Sequence, residues 1–314
     1  MTLDPPIQQM LTALESMGNP SLASGTPETA REGFRALTVN LRRPESVVPV
    51  AAVKDVRLPG PAGHLQARVY RPDTTEPVPT ILFIHGGGFV IGDIDTHDNQ
   101  CRTVCRDVGA VVLSVGYRLA PEARFPAAVE DCVAALAWTA AHTAELGGDP
   151  ARLAIAGDSA GGNLAAVVAR LARDAGGPAL AAQLLIYPGT DARDDDDLYV
   201  SREQNADGYF LTLEDMRWFS DHYVGTADRH DPSLSPLLAE DLTGLAPAIV
   251  VTAEYDPLRD EGEAYARALE HAGVPVSLTR YDGLIHGFFD LAPLSPAAAE
   301  AVRETCASLK RLLA

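Results

Sequence analysis

A serine set among small residues marks the part of this sequence best suited to chemistry, the segment Gly157-Asp158-Ser159-Ala160-Gly161-Gly162. An apolar run at 153–156 precedes it and a helix-like run at 163–170 follows it, so the pattern is strand, sharp turn, helix. A Gly-x-Ser-x-Gly turn in this context is a nucleophile elbow. Its small residues let the serine adopt a strained conformation that lifts the hydroxyl out of the sheet. Ser159 is therefore the predicted nucleophile.

A glycine run, His85-Gly86-Gly87-Gly88-Phe89, follows a second apolar strand at 81–84. An acyl-transfer enzyme needs hydrogen-bond donors aimed at the oxyanion of its tetrahedral intermediate, and losing one donor costs about 3 kcal/mol. The backbone N–H groups of Gly87, Gly88 and Ala160 are the predicted donors. By itself this run is equally compatible with a flexible turn. Its place upstream of a nucleophile elbow favours an oxyanion hole.

An acid and a base stand near the C-terminus. Asp256 follows a predicted strand at 249–253, and His286 follows another at 276–281. The order is then Ser, Asp, His, with each residue just past a strand, so all three are expected at the same edge of a parallel sheet. A histidine could take the serine proton while the aspartate orients its ring. Glu254 and Asp260 compete with Asp256 for the acid role, and His286 could instead be a buried core histidine.

These motifs together resemble bacterial esterases of the hormone-sensitive-lipase-like family, within the α/β-hydrolase superfamily. The branch that carries Gly-Asp-Ser-Ala-Gly at the elbow is the most similar. The resemblance rests on the glycine run, the elbow, Asp256-Pro257-Leu258-Arg259-Asp260-Glu261 and His286-Gly287-Phe288. It implies Ser159, Asp256 and His286 as the catalytic triad, because the family pattern places the acid directly before Pro-Leu-Arg-Asp. The implied chemistry needs no metal and no organic cofactor.

Strand-like and helix-like segments alternate along most of the chain. Strands are predicted at 81–84, 111–115, 153–156, 184–187, 249–253 and 276–281, after a hairpin at 53–71; helices are predicted at 97–107, 126–144, 161–175, 259–272 and 296–313. This alternation predicts an α/β fold with a mostly parallel, twisted sheet of about eight strands and helices on both faces. The expected core comprises 50–188 and 232–314.

Two stretches break the alternation, at 1–49 and 189–231, and the resemblance implies that they form a helical cap over the site. Amphipathic helices are predicted near 6–17 and 27–39 in the first stretch. The second contains aromatic residues at helical spacing over 209–219. Phe210, Leu211 and Phe219 are the predicted lining of an acyl pocket. They could equally be the contact between the cap and the core.

The composition limits the classes of partner expected for this protein. The 314 residues carry a formal net charge of −18, which excludes a nucleic-acid-binding surface and disfavours stable association with anionic membranes. No apolar run approaches the roughly 20 residues of a membrane span, and no signal-peptide pattern begins the sequence. The four cysteines lack metal-type spacing and predict reduced thiols in a cytoplasmic protein. The four aspartates at 194–197 lack the ligand spacing of a calcium loop.

A carboxylesterase acting on short- to medium-chain acyl esters is the function these observations favour. A lipase for longer chains and an amidase or deacetylase of a specific metabolite would use the same machinery. A non-catalytic binding protein on this fold is disfavoured because His286 is present, and a haloalkane dehalogenase would need a carboxylate where Ser159 stands. The resemblance suggests a homodimer through the last edge strand, while composition is equally compatible with a monomer.

Overall fold

The structure, a computed structural model, describes residues 2–16, 18 and 25–314. Within this part of the chain, eight strands form one sheet in the order β1-β2-β4-β3-β5-β6-β7-β8. The strands are β1 Ala52–Gly60, β2 Gly63–Arg71, β3 Val78–Ile84, β4 Val111–Gly116, β5 Gly148–Asp158, β6 Ala182–Ile186, β7 Ala248–Tyr255 and β8 Val276–Ile285. The β1–β2 and β2–β4 pairs are antiparallel and the remaining pairs are parallel. The expected α/β fold is confirmed.

Nine α-helices lie in the described residues. They are α1 Pro5–Ser16, α2 Pro27–Arg35, α3 Asp98–Val104, α4 Ala127–His142, α5 Ala160–Asp174, α6 Val200–Gln204, α7 Leu213–Tyr223, α8 Arg259–His271 and α9 Pro296–Leu312. Five-residue π-helical turns extend α2 and α3, at Ala36–Asn40 and Cys105–Gly109. The helix predicted at 6–17 corresponds to α1, and its last predicted residue, Met17, lies outside the described residues.

Both faces of the sheet are covered, as the central strand β3 shows. Ile81 and Phe83 belong to one core cluster, which includes side chains of α3 and α9. Leu82 and Ile84 belong to the other cluster, which includes side chains of α4, α5 and α8. All four β3 side chains are fully buried. Alternate residues of a strand point to opposite faces, so a strand buried on both sides is apolar throughout.

The segment at 209–219 is less helical than its aromatic spacing suggests. Helix α7 begins only after Thr212, whose side chain accepts the Asp215 N–H while the Asp215 side chain accepts the Thr212 N–H. This capping box starts the helix at Leu213. Phe210 has a left-handed φ of 77°, which a helix cannot include, so it lies in the preceding loop.

Within the described residues, every helix is too short or too polar to cross a membrane. The cysteines at 101, 105, 132 and 306 are all buried free thiols.

Candidate active site

Ser159 stands on a sharp turn between β5 and α5. Its backbone is strained, with φ 55° and ψ −120°, and its N–H donates to the carbonyl of Ile186 at 2.8 Å. The turn requires glycine on both sides. A Cβ at Gly157 would lie 2.2 Å from the Gly161 carbonyl oxygen, and one at Gly161 would lie 2.0 Å from that of Ile84. The strand, the turn and the helix approach so closely that the serine is pushed outward, as the sequence predicted.

The structure brings Ser159, His286 and Asp256 into one hydrogen-bonded chain. His286 Nε2 lies 2.9 Å from Ser159 Oγ, and His286 Nδ1 lies 2.7 Å from Asp256 Oδ2. With Asp256 ionised, the carboxylate accepts the Nδ1–H of a neutral imidazole, and Nε2 accepts the serine hydroxyl proton. The second carboxylate oxygen, Oδ1, accepts the Leu258 N–H at 2.8 Å. Asp256 is fully buried and His286 is 7% exposed, so water competes little for these bonds.

The other two candidate acids, Glu254 and Asp260, form hydrogen bonds with other groups. Glu254 accepts the N–H of Gly283 at 2.8 Å. Asp260 accepts the N–H of Ser201 at 2.8 Å and the Arg259 guanidinium also at 2.8 Å. Of the three acids that the sequence offered, Asp256 is the one hydrogen-bonded to the imidazole of His286.

The glycine loop lies beside the serine. Gly87 and Gly88 have left-handed φ values of 109° and 58°, and the N–H groups of Val90 and Ile91 both donate to the Gly87 carbonyl. Gly87, Gly88 and Ala160 line the same cavity as Ser159. The structure thus gathers the three predicted oxyanion donors around the nucleophile, and their role stays a prediction.

A buried pair of side chains supports this loop, and one of the two, His97, was not found by sequence reasoning. Asp158 accepts the Gly86 N–H at 3.0 Å through Oδ1, and its Oδ2 lies 3.5 Å from His97 Nε2. Burial alone would lower the pKa of His97, but the carboxylates of Asp158 and Asp290 and the Asp93 backbone together outweigh burial and raise it to about 9. Burial, followed by repulsion from His97, lowers the pKa of the neighbouring His85 to about 4. No local motif marks His97, because its partner is 61 residues further along the chain.

The site opens into a cavity of about 900 Å³. Phe210, Leu211 and Phe219 all line it. Leu211 and Phe219 are also only 6% exposed and belong to a core cluster, so these two line the cavity and pack in the core, and their role as an acyl pocket stays a prediction. The Phe219 ring lies directly against Gly88. The sequence did not single out further apolar lining side chains, which come from both cap segments: Met10, Leu14, Phe34, Leu37, Leu41 and Met216.

In the described part of the chain, no group of three or more His, Cys, Asp or Glu residues has an arrangement that could hold a metal ion. The side chains that meet at Ser159 are those of acid–base chemistry.

This sheet, with a serine on the turn after a central strand, defines the α/β-hydrolase class. Residues 81–290 match the family described as having the alpha/beta hydrolase fold. The chain is 45% identical to the carboxylic ester hydrolase LipN of Mycobacterium tuberculosis, over 98% of this chain and 83% of that protein. It is 41% identical to an ethyl acetate hydrolase of Pseudomonas putida, over 79% of each.

Solved structures give the same result. A hyperthermophilic esterase from the archaeon Pyrobaculum calidifontis superposes with a TM-score of 0.94 at 43% identity, over 100% of both chains. The chain belongs to this α/β-hydrolase family. Its resemblance to the hormone-sensitive-lipase-like esterases, first drawn from short motifs, is confirmed.

Proposed function

We propose that this protein is a serine carboxylesterase that hydrolyses short- to medium-chain acyl esters through an acyl-enzyme intermediate. The observation that carries the proposal is the hydrogen-bonded chain of Ser159, His286 and Asp256 at the wall of a largely apolar cavity. Relatives named as ester hydrolases at 41–45% identity support the reaction class.

The reaction follows from the geometry. As the Ser159 hydroxyl oxygen attacks the ester carbonyl, its proton passes to His286 Nε2, 2.9 Å away. The new bond places negative charge on the carbonyl oxygen, where the N–H groups of Gly87, Gly88 and Ala160 stabilise it. Asp256 stabilises the imidazolium that has formed. His286 then gives the proton to the departing alcohol, and the acyl group stays on the serine.

Water completes the cycle. It attacks the acyl-enzyme while His286 takes one of its protons, and the collapse of the second tetrahedral intermediate returns that proton to Ser159 and releases the carboxylic acid. Since the leaving oxygen must accept a proton from Nε2, the alcohol lies on the His286 side of the serine. We assign the acyl chain to the part of the cavity lined by Leu211 and Phe219, whose bulk would favour short to medium chains.

We also propose a domain division, a cellular location and a surface for dimer formation. Residues 1–49 and 189–231 form the cap, and 50–188 with 232–314 form the catalytic core; cavity-lining side chains from both cap segments support this division. We place the protein in the cytoplasm, without nucleic-acid partners or stable membrane association. Strand β8 is an edge of the sheet and is the surface proposed for homodimer formation.

Initial rates on p-nitrophenyl esters from acetate to palmitate test this function. We expect rates that peak between butyrate and octanoate in the wild type and are abolished in Ser159→Ala. Ser235→Ala is the matched control, because Ser235 is also buried but is not among the residues that line the cavity, and it should retain activity. A peak at palmitate would favour a lipase, and a preference for anilides would favour an amidase. Turnover that survives Ser159→Ala would refute the mechanism.

A further inference from the structure

The loop that carries the catalytic acid is held from outside the core. Asp256 stands between β7 and α8, and the carbonyl groups around it face the short helix α6 of the cap insertion. The side-chain amide of Asn205 donates to the carbonyl of Asp256 at 3.1 Å and to that of Glu254 at 3.3 Å. The Ser201 hydroxyl donates to the carbonyl of Pro257 at 2.8 Å. Three carbonyl groups of the loop backbone, those of residues 254, 256 and 257, therefore accept hydrogen bonds from two cap side chains.

Further bonds run between Ser201 and the start of α8. The Ser201 hydroxyl accepts the Asp260 N–H at 3.2 Å, and the Ser201 N–H donates to the Asp260 carboxylate at 2.8 Å. Ser201 is fully buried and Asn205 is only 3% exposed. Water cannot readily replace a bond at such a site, so removing either side chain takes a donor from buried backbone carbonyl groups. The carbonyl of Asp256 also accepts the Arg259 N–H at 3.1 Å and that of Glu254 the Arg259 guanidinium at 3.0 Å, so Asn205 is a second donor to each.

A buried ion pair anchors the same helix. The Arg202 guanidinium lies 2.8 Å from the Glu261 carboxylate, with side-chain exposures of 3% and 1%. Arg202 also donates to the carbonyl groups of Asp191 and Arg193, each at 2.9 Å. Glu261 belongs to α8, directly after the acid loop, and it accepts the Thr190 N–H at 2.7 Å. The Arg202–Glu261 ion pair thus fixes helix α6 against α8. The bonds from Ser201 and Asn205 then hold the loop that carries Asp256.

We propose that Ser201 and Asn205 are positioning residues for catalysis: they hold the backbone at Asp256 so that its carboxylate stays within hydrogen-bond distance of His286. The cap insertion then helps to position the catalytic acid as well as covering the cavity. This inference rests on the proposed function, since the acid matters only if the triad operates. The alternative is that these bonds only fasten the cap to the core.

Asn205→Ala and Ser201→Ala test the inference in the full-length protein. We expect kcat on p-nitrophenyl butyrate to fall about tenfold or more with KM within about twofold, since a shift of about 1 Å in a catalytic group can cost about 100-fold. Using both variants guards against one of them failing to fold.

Ser235→Ala is again the matched control. Ser235 is fully buried, donates to the Arg229 carbonyl at 2.6 Å and accepts the Ala192 N–H at 2.8 Å, so it fastens the cap insertion to the core through two comparable bonds. It should leave kcat unchanged. If Ser201→Ala and Asn205→Ala behave like Ser235→Ala, with kcat within twofold of wild type, the positioning role is refuted.

A second readout does not depend on turnover. The proton shared by His286 Nδ1 and Asp256 should give a far-downfield proton resonance, assigned by its loss in Asp256→Asn. We expect this resonance to weaken or vanish in Asn205→Ala and to persist in Ser235→Ala. If the wild type hydrolyses no ester, the proposed function fails, while the resonance still decides whether α6 positions the acid. A resonance unchanged in Asn205→Ala overturns the inference.

Discussion

Gly87→Ala should disable the protein by moving the oxyanion loop. Gly87 adopts φ +109°, which L side chains rarely adopt, and this alone costs about 1–3 kcal/mol. The added Cβ would also lie 2.2 Å from the Ile91 carbonyl oxygen, 0.8 Å short of the 3.0 Å below which real Cβ atoms essentially never come. The neighbour is backbone and cannot rotate away.

The size of the effect follows from that distance. The Ile91 N–H donates to the Gly87 carbonyl at 2.9 Å, so Gly87 and Ile91 close one tight turn. Relieving the clash opens this turn by about 0.8 Å and shifts the N–H groups of Gly87 and Gly88. A misplacement of about 1 Å, or the loss of one oxyanion donor, lowers kcat by roughly 10²–10³-fold. We expect that loss in Gly87→Ala, with a smaller change in KM.

Steady-state kinetics on p-nitrophenyl butyrate, together with urea unfolding, measure both consequences. Gly63→Ala is the matched control. Gly63 has φ +130° in the β1–β2 turn, and a Cβ there would meet nothing within 4 Å. It should lose stability through strain and keep the wild-type kcat. If Gly87→Ala folds and retains kcat within about threefold of wild type, the assignment of this loop to the oxyanion hole is wrong.

Three further predictions concern the cavity and the buried charges. Phe219→Ala removes the ring that abuts Gly88, so the preferred acyl chain should lengthen at a stability cost of about 3–5 kcal/mol; an unchanged chain-length profile would contradict the pocket assignment. Arg202→Met leaves Glu261 buried and unpaired and should lower the free energy of unfolding by about 3–5 kcal/mol in urea titrations, and adding Glu261→Gln should restore part of it. His97 has its pKa raised to about 9, so its stabilising contribution is complete below the unfolded value of about 6.5 and is lost as pH rises through 9. The free energy of unfolding should therefore fall more between pH 7 and 10 in the wild type than in His97→Gln, and equal slopes would count against the ion pair with the carboxylate beside it.

Much of the fold and of the site was predicted from short segments of the sequence. The strand-turn-helix signal around Ser159 needed only neighbouring residues, because steric constraints on a sharp turn are local. The alternating apolar runs likewise indicated buried parallel strands, and the observed sheet matches them closely. The segment at 209–219 was read less well, because the capping box at Thr212 and the left-handed Phe210 override the aromatic spacing.

Long-range contacts could not be predicted in this way. Asp158 belongs to the elbow motif, but its partner His97 has no sequence signal, and the charge of this histidine depends on burial beside that carboxylate. The same holds for Asn205, an ordinary polar residue at the end of a short helix, which only the fold sets against the acid loop.

The sequence by itself determined the elbow, the glycine loop and the order of serine, acid and base, because each follows from residue types within a few positions. The tertiary structure alone decided which acid faces His286 and how near that ring comes to Ser159, a residue 127 positions away. It also decided what holds the acid in place. Hydrogen bonding and burial depend on distances of a few ångströms between segments remote in sequence, and only the packed fold sets those distances.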